Sequence, residues 1–504
     1  MEISPAYSGF ASAYDAGWPQ TLHVRLIADL DTPVSAFLKL GAGIANAFLL
    51  ESVQGGETRG RYSIIGLAPD LIWRCRNGRA EINRAAQTSN SFSPDGDEPI
   101  QSLKRLVKST QIALPAELPP MAAGLFGYLG YDMVRHIERL PPPPPDRLGL
   151  PDSILLRPTI TAIFDNVRDE IIVVTPIWPD GRTDAGQAYR DGVTRLEETV
   201  AKFERSRIEL PAANLRPSNS DINSNTTHDE YTATVNQAKE YILAGDIFQV
   251  VPSQRFRREF PLPPFSLYRA LRRLNPSPFL YFLNFPEFAV VGSSPEILVR
   301  LRNGIVTIRP IAGTRPRGKT AEEDRRLAEE LLADPKERAE HLMLLDLGRN
   351  DVGRVAQVGT VKVTDQFFIE RYSHVMHLVS NVEGRIRTGL DAVDALIAGF
   401  PAGTLSGAPK IRAMEIINEL EKDKRGIYAG AVGYFAANGS MDTCIVLRTA
   451  IVKDGMMYVQ AGGGVVADSD PEAEFQETIN KAKALMAAAD EALHQSSNSR
   501  GFPA

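Results

Sequence analysis

Cysteine is scarce in this chain of 504 residues, which has only Cys75 and Cys444, far apart in sequence. Two distant cysteines cannot form the disulfide framework of a small secreted protein, and they are too few for a cysteine-based zinc site. We therefore expect a protein of a reducing compartment, most simply the cytoplasm.

The chain also lacks an excess of positive charge and any long apolar run. Its 56 lysines and arginines against 62 aspartates and glutamates give a formal net charge of -6. This balance argues against a nucleic-acid-binding surface and against an anionic membrane as a partner. No segment approaches the roughly 18 apolar residues that cross a bilayer, and the first residues lack the basic and apolar regions of a signal peptide. The sequence therefore predicts a soluble protein.

What the chain does have is the size and composition of a large globular protein, with 43% apolar and 23% charged residues. Three stretches rich in polar residues or proline predict loops or linkers: residues 86–99, 141–145 and 212–229. We place the main boundary in the last of them. It divides the chain into an N-terminal domain, residues 1–225, and a C-terminal domain, residues 226–504.

Strand patterns are joined by short turns or long excursions, without regular alternation with helices. Residues 159–164 and 170–175 flank turn residues and predict a hairpin. Residues 231–244 predict a helix that ends at Gly245. Further strands are predicted at residues 304–310, 443–452 and 457–460. This pattern favours an α+β fold with a mainly antiparallel sheet over a doubly wound parallel sheet.

Two stretches combine a helix start with paired carboxylates. Asp334 and Asp470 each precede a proline, which predicts a capped helix beginning at that point. Carboxylates spaced three residues apart then share one face of each helix: Glu337 with Glu340, and Glu474 with Glu477. Each pair alone is also what the helix dipole favours. If the two helices meet, however, the four carboxylates need a cation, and ligation by oxygens and water suits Mg²⁺.

Glycine-bearing loops and fixed cations accompany these helices. Residues 310–318 and 461–465 can bring backbone N–H groups close to an anion, although a plain turn or bulge is the commoner use of such glycines. Arg448 lies in an apolar run and needs an anionic partner, either an internal carboxylate or a ligand. Lys481 is spaced to pair with Glu477 on its own helix. The residues alone thus indicate an enzyme that acts on a small carboxylate with Mg²⁺.

Taken together and in order, motifs across residues 229–485 resemble the chorismate-utilising enzymes, which include anthranilate, aminodeoxychorismate, isochorismate and salicylate synthases. The matching segments are residues 245–250, 292–296, 310–318, 337–351, 401–410 and 461–481. The N-terminal half matches mainly through residues 49–52. The resemblance implies two stacked, mainly antiparallel sheets flanked by helices, with the active site in the C-terminal part.

The resemblance also implies roles for particular residues. Mg²⁺ would be bound by Glu340 and Glu477, with Glu337 and Glu474 reaching it through water. The residues expected to hold chorismate are Gly313, Thr314, Thr404, Tyr428, Arg448, Gly462, Gly463, Gly464 and Lys481. The expected catalytic residues are Glu296, which protonates the leaving hydroxyl group, His377, which handles a proton as pyruvate is eliminated, and Gln249, on the side of the nucleophile. For His377, the residues alone leave a structural role open.

Two positions distinguish members of the family. Gln249 stands where isochorismate and salicylate synthases have a lysine that activates water, and a neutral amide cannot act as that base. Ala312 stands where aminodeoxychorismate synthases usually have a lysine. Both positions favour the large subunit of an anthranilate synthase. The alternatives are an aminodeoxychorismate synthase and a catalytically silent tryptophan-sensing subunit.

The resemblance implies a protein partner and an inhibitor. Ammonia would come from a separate glutamine amidotransferase subunit, since neither Cys75 nor Cys444 lies in a nucleophile elbow. Tryptophan, the feedback inhibitor of such enzymes, would bind at Leu50, Glu51, Ser52, Pro278, Phe279 and Leu280. Relatives often have Tyr-Met at the last two positions, so this departure bears on the affinity of the inhibitor.

Overall fold

The computed structural model describes residues 2–54, 58–204, 221–372 and 375–498. Its α-helices are α1 (Tyr7–Asp15), α2 (Pro33–Leu40), α3 (Pro99–Ser109), α4 (Ala185–Phe203), α5 (His228–Leu243), α6 (Pro264–Leu274), α7 (Ala321–Ala333), α8 (Pro335–Val355), α9 (Ala392–Gly399), α10 (Lys410–Leu420) and α11 (Pro471–Asn498). Short 3₁₀ helices span Pro120–Ala122, Tyr131–His136 and Gly403–Leu405.

The strands of the first half are β1 (Gln20–Ile27), β2 (Ala47–Gln54), β3 (Thr58–Arg76), β4 (Arg79–Asn83), β5 (Ser93–Pro94), β6 (Gly124–Leu129), β7 (Ser153–Asp165), β8 (Glu170–Ile177) and β9 (Asn223–Ser224). Those of the second half are β10 (Gln249–Val250), β11 (Ser253–Glu259), β12 (Phe279–Asn284), β13 (Ala289–Ser294), β14 (Ile297–Arg302), β15 (Ile305–Ile308), β16 (Ile311–Pro316), β17 (Lys362–Arg371), β18 (Val375–Arg385), β19 (Gly407–Ala408), β20 (Ala431–Ala436), β21 (Met441–Ile445), β22 (Thr449–Lys453) and β23 (Met456–Gly462).

Apart from β10 and β19, which pair with each other in a small sheet of their own, the strands form two antiparallel sheets that share the long pair β3–β7. The first sheet runs β1–β8–β7–β3–β2–β12–β13–β22–β23–β11–β9. The second runs β5–β4–β3–β7–β6–β20–β21–β14–β15–β18, and β18 also pairs with β16 and β17. A register shift between Pro69 and Leu71 marks the point where the shared pair passes from one sheet to the other.

The three largest apolar cores of the described residues follow from this arrangement. One lies between the sheets and is built mainly from strand residues such as Phe48, Phe126 and Tyr281. A second covers the first sheet with α1, α2, α4, α6 and α11, and a third covers the second sheet with α3, α8, α9 and α10. The predicted α+β architecture of two stacked antiparallel sheets flanked by helices is confirmed.

Most of the local predictions hold. The hairpin at residues 159–175 is β7–β8, and the Asp165 carboxylate accepts the amide of Val167 at its tip. The helix predicted at residues 231–244 begins three residues earlier, because Thr227 and Glu230 form a capping box. It is followed by Gly245 at a φ of +83°, a conformation that favours glycine.

One strand prediction differs from the structure. Residues 443–452 form the end of β21 and the start of β22 rather than a single strand. The break falls at residues 446–448, where Arg448 has a φ of +48°. Such a conformation cannot continue a β-strand, so the arginine sits in a connection between strands.

The predicted division at residue 225 does not correspond to two separate cores. Strands from before and after it pair in both sheets, as β2 does with β12 and β6 with β20. Residues 212–220 of the predicted linker lie outside the described residues. Among the helices described, none combines the length and apolarity needed to cross a membrane.

Candidate active site

Helices α8 and α11 begin as the sequence predicts and present their carboxylates toward one another. The Asp334 carboxylate accepts the amides of Lys336 and Glu337, and the Asp470 carboxylate accepts the amide of Ala473 at 2.9 Å. These caps fix where each helix starts and therefore which side chains occupy its first turns.

The two carboxylate pairs influence one another. Burial raises the pKa of Glu340, and the charges of Glu337 and Glu477 raise it further. Burial also raises the pKa of Glu474, the charge of Glu477 adds to this, and a 2.8 Å hydrogen bond from Ser469 opposes it. The starts of α8 and α11 therefore share one electrostatic environment, in which negative charge is crowded.

Neighbouring cations relieve only part of this crowding. Arg315 donates to Glu337 at 3.0 Å, and Lys481 pairs with Glu477 at 2.7 Å. The second carboxylate oxygen of Glu474 is buried with no hydrogen-bond partner among the described residues. In the described part of the chain, no group of three or more His, Cys, Asp or Glu side chains lies close enough together to hold a metal ion. The carboxylates are therefore too widely spaced in this structure to enclose a metal ion by themselves.

The glycines after β23 permit close approach to this set. A Cβ atom on Gly463 would lie 2.6 Å from a carboxylate oxygen of Glu474, and one on Gly464 would lie 2.6 Å from the amide nitrogen of Gln249. Real Cβ atoms do not approach polar atoms this closely, so any side chain here would displace a site residue. These glycines are therefore needed for packing within the site, beyond the needs of a turn.

Gly462 contacts the same group of site residues through its backbone. Its carbonyl accepts a hydrogen bond from the Lys481 ammonium at 2.9 Å, which holds this lysine between α11 and β23. The hydroxyl of Tyr428 would lie 3.1 Å from a Cβ atom at Gly462. Lys481 thus bridges Glu477 and the glycine loop, beyond the pairing within its helix that its spacing suggested.

Gln249 lies at the centre of these contacts. It belongs to β10, which pairs with β19 through Ala408, and its side chain is 3% exposed. Its amide nitrogen donates to the Glu340 carboxylate at 3.3 Å, and its amide oxygen is buried with no partner in the described part of the chain. A buried acceptor without a partner is uncommon in proteins. It is available to a ligand that carries N–H groups.

The site also contains a buried acid. Glu296 lies between β13 and β14, and burial raises its pKa to about 8. The amide of Ile311 and the hydroxyl of Thr404, 3.5 Å away, oppose that shift without cancelling it. Glu296 therefore keeps its proton near neutral pH, which a general acid requires.

His377 has the opposite shift from the same cause. Burial lowers its pKa to about 4, so the imidazole is neutral at physiological pH. Its Nδ1 lies 3.0 Å from the carbonyl of Gly313 and 3.1 Å from the hydroxyl of Thr314. Because the carbonyl can only accept, Nδ1 carries the proton and Nε2 is the basic nitrogen. The ring of Tyr372 packs edge-on against the imidazole at 5.4 Å.

Arg448 provides a positive charge for an anion. Burial lowers its pKa, and the charges of Tyr372 and Glu296 act against this, which places the guanidinium near both. Among the residues that the structure describes, Arg448 forms no ion pair, so the internal salt bridge left open by the sequence is not found there. A half-buried guanidinium without a carboxylate partner suits the binding of an anionic ligand.

These features agree with comparisons to known proteins. The family model for chorismate binding enzymes matches residues 57–487. The chain is 57% identical to anthranilate synthase component 1 of Cereibacter sphaeroides, over 97% of this chain and 98% of that protein. It is 48% identical to anthranilate synthase component 1 of Aquifex aeolicus, over 93% and 94% of the two chains. The chain belongs to the chorismate-binding enzymes.

Two solved structures have a fold similar to that of this chain. The crystal structure of anthranilate synthase component I from Streptococcus pneumoniae superposes with a TM-score of 0.75 at 38% identity, covering 92% of this chain and 99% of that one. The menaquinone-specific isochorismate synthase MenF of Escherichia coli superposes at 0.69 with 19% identity, covering 96% and 100%. The second match, at such low identity, concerns the fold alone.

In this chorismate-binding enzyme, the predicted active-site residues form one connected set. Direct contacts link Gln249 to Glu340 and Gly464, Gly463 to Glu474, and Gly313 to both Glu337 and His377. Electrostatic influence links Arg448 to both Glu296 and His377. The remaining predicted members join through contacts given above: Thr314, Thr404, Tyr428, Gly462, Glu477 and Lys481.

Five of the six residues predicted to bind tryptophan lie on the neighbouring strands β2 and β12, on two faces, and Pro278 directly precedes β12. Ser52 pairs with Phe279, and Glu51 pairs with Leu280. Leu50 and Phe279 pack against the core between the sheets. Glu51 lies on the opposite face, where Arg272 of α6 donates to both of its oxygens at 2.7 and 3.0 Å. A small ligand between the sheets would thus meet the side chains of Leu50, Ser52 and Phe279, while that of Glu51 holds α6.

One buried ion pair near Tyr428 could not be predicted from sequence patterns. Arg425 forms a hydrogen-bonded ion pair with Glu421 and donates to the carbonyls of Val251 and Leu405 at 2.6 Å each. Its guanidinium lies 5.5 Å from the ring centre of Tyr428. Both charges stand in a run of charged residues, which is usually a solvated surface. Only the tertiary structure shows that they join the β10 region to the loop carrying Thr404.

Proposed function

We propose that the chain is the large subunit of an anthranilate synthase, which converts chorismate and ammonia into anthranilate and pyruvate. The observation that carries the proposal is identity of 45–57% with proteins named anthranilate synthase component 1, over 92–97% of the chain. The geometry of the site supports it, since an anion-binding cation, a protonated acid and a neutral imidazole surround one space.

The substrate has two carboxylates, and the site offers one binding group at each end. Arg448, with Tyr428 and Gly464, would hold the enolpyruvyl carboxylate. At the other end, Glu340 and Glu477 would hold Mg²⁺, with Glu337 and Glu474 reaching it through water. The unpartnered oxygen of Glu474 and the raised pKa of Glu340 fit a cation, and a loose carboxylate set suits Mg²⁺, which keeps water and substrate ligands. The bound ion would neutralise these carboxylates and the ring carboxylate of chorismate.

Proton transfer falls to two groups whose protonation states differ. Glu296, still protonated at neutral pH, would give its proton to the leaving C4 hydroxyl group as ammonia attacks C2. His377, neutral and with a free Nε2, would take up the ring proton when pyruvate is eliminated. Gly313, Thr314 and Thr404 would line the ring between them. Burial is the main cause of both the raised pKa of Glu296 and the lowered pKa of His377.

The choice of nucleophile rests on Gln249 and Ala312. The buried amide oxygen of Gln249 can accept a hydrogen bond from ammonia, but a neutral amide cannot remove a proton from water. Ala312 is 9% exposed and pairs with Leu378 of β18, the strand that also carries His377. Its methyl group offers no amine for covalent attachment. Both residues favour free ammonia as the nucleophile over water or an enzyme-bound amine.

The proposal also includes a protein partner, an inhibitor and a cellular compartment. Glutamine-derived ammonia would come from a separate amidotransferase subunit, since both cysteines are buried in the fold. Tryptophan would inhibit the enzyme by binding at Leu50, Ser52 and Phe279, with Glu51, Pro278 and Leu280 around them. The protein would act in the cytoplasm.

One assay tests the proposal. Purified protein is given chorismate, Mg²⁺ and an ammonium salt at alkaline pH, and anthranilate fluorescence is followed. We expect anthranilate and pyruvate in equal amounts, and no product once EDTA removes the metal. Accumulation of a product that retains its enolpyruvyl group would instead identify an aminodeoxychorismate synthase, and absence of turnover would favour a silent subunit.

A further inference from the structure

A small cavity lies beside the acid Glu296, and most of its lining residues have no predicted role in binding metal or substrate. Its volume is about 30 Å³. It shares only Glu296 and Thr404 with the predicted substrate site. Its other lining residues include Pro310 and, from α8, Gly348 and Asp351.

The cavity has the size and the polar groups that water requires. A cavity needs ~10–15 Å³ to hold one water molecule, so this one has room for about two. Glu296, Thr404 and Asp351 contribute polar side chains to its lining. The rest of the lining is mainly apolar, as at Leu298, Ile308 and Leu344.

Asp351 is a buried charged group that the mechanism above does not use. It is 5% exposed and forms an ion pair with Lys410 at 2.8 Å. Replacement of such a pair by apolar residues is often neutral or stabilising, so stability alone does not explain its presence. Asp351 and the buried acid Glu296 line the same cavity, which is consistent with a role for Asp351 in proton supply.

We propose that the cavity lined by Glu296 and Asp351 holds a short water chain, anchored at Asp351, that returns a proton to Glu296 in each turnover. This inference rests on the proposed function. In the amination step the C2–N bond forms and the C4–O bond breaks. Glu296 gives its proton to the departing hydroxyl group, which leaves as water, and the added nitrogen releases one proton to solvent. Glu296 is then a carboxylate and needs one proton, which the water chain delivers from solvent while product still fills the front of the site.

The chain offers a matched pair of variants for a test, because two glycines of α8 differ only in what surrounds them. Gly348 lines the cavity, and a Cβ atom there would lie 3.3 Å from Pro310 and 3.5 Å from Ile308. Gly353 has nothing within 4 Å of the same position. Gly348→Ala therefore puts a methyl group into the water space, while Gly353→Ala makes the same helix substitution outside it.

We expect Gly348→Ala to lower kcat for anthranilate synthesis by at least about tenfold, part of the roughly 10²–10⁴-fold that a general acid contributes. Its KM for chorismate should stay at the parent value, and its solvent deuterium isotope effect on kcat should rise. Asp351→Asn, which keeps the shape of the residue, should shift the same two quantities in the same direction. Gly353→Ala should behave as the parent.

The outcomes separate this inference from the proposed function. A parent enzyme that makes no anthranilate from chorismate and ammonium contradicts the function itself. An active parent whose kcat and isotope effect are the same in Gly348→Ala and Gly353→Ala contradicts the water chain. A loss in Gly348→Ala that comes with a raised KM and an unchanged isotope effect would reflect distortion of the substrate site, and it too would overturn the inference.

Discussion

Burial has opposite consequences for the two proton-handling residues of the site. It keeps Glu296 protonated up to a pKa of about 8 and keeps His377 neutral down to a pKa of about 4. Between these values one group can only give a proton and the other can only take one. The same low-dielectric space therefore supports an acid and a base that do not neutralise each other.

The pH dependence of the reaction follows from the raised pKa of Glu296. At constant free ammonia, kcat/KM for chorismate should fall as pH rises through about 8, because this parameter reports groups of the free enzyme. Glu296→Gln should lower kcat by about 10²–10⁴-fold, the usual contribution of a general acid. Any residual activity should lack the alkaline limb. An alkaline limb that is unchanged in the variant would assign it to another group.

The pH dependence of the unfolding temperature provides a control for the Glu296→Gln variant. Because the folded-state pKa of Glu296 lies above the unfolded value, the folded protein holds the extra proton between pH ~4.5 and ~8, and the associated stability is lost as pH rises through this window. Glu296→Gln cannot ionise. Its unfolding temperature should fall less than that of the parent between these pH values.

Gln249 is the residue with the sharpest expected effect on product. Gln249→Lys introduces a potential base, since burial lowers the pKa of a lysine, although Glu340 beside it acts in the other direction. We expect this variant to lose anthranilate synthesis and to form detectable isochorismate-type product from water. Gln249→Met, which removes the amide without adding a base, should lose the first activity and not gain the second. Chromatography of the reaction mixtures distinguishes them, and abundant water-derived product from the parent would contradict a selecting role for Gln249.

At the scale of elements, the starts of α8 and α11 were the most predictable part of the site. Each start is fixed by an aspartate and a proline at adjacent positions. The helical turn and the helix face on which the following carboxylates lie can therefore be predicted. What local sequence could not predict was that the two starts lie near enough for Glu477 to raise the pKa of Glu340, because their approach depends on the path of both sheets. The break at Arg448 was also missed, since its flanking apolar residues have the same pattern as an uninterrupted strand.

The pair β2–β12 carries a prediction about inhibition. Ser52 faces the same side as Leu50 and Phe279, and a hydrogen bond from its hydroxyl to a charged amino group is worth about 1.5–3 kcal/mol. Ser52→Phe should therefore raise the tryptophan concentration needed for half inhibition by at least about tenfold. Anthranilate synthesis without tryptophan should change little. Ser52→Ala, which adds no bulk, should shift inhibition in the same direction, and coincident inhibition curves for both variants and the parent would place the inhibitor elsewhere.

At the scale of the molecule, the two halves of the chain are interleaved. Sequence patterns indicated antiparallel strands and their approximate positions, but pairing between β2 and β12 or β6 and β20 joins residues more than 200 apart. No local signal specifies such partners, and the polar stretch near residue 225 looked like a domain boundary for that reason. The predicted inhibitor strand β12 pairs directly with β13, the strand that precedes Glu296.

If the proposed function is right, this chain alone joins ammonia to chorismate and releases an aromatic amine. Mass spectrometry of the product formed from chorismate, Mg²⁺ and ¹⁵N-ammonium, with unlabelled glutamine present and no second protein, is the decisive measurement. We expect anthranilate that carries the heavy nitrogen throughout. Anthranilate with unlabelled nitrogen would show that the chain uses glutamine by itself, and a labelled product that retains its enolpyruvyl group, or a nitrogen-free product, would contradict the assignment.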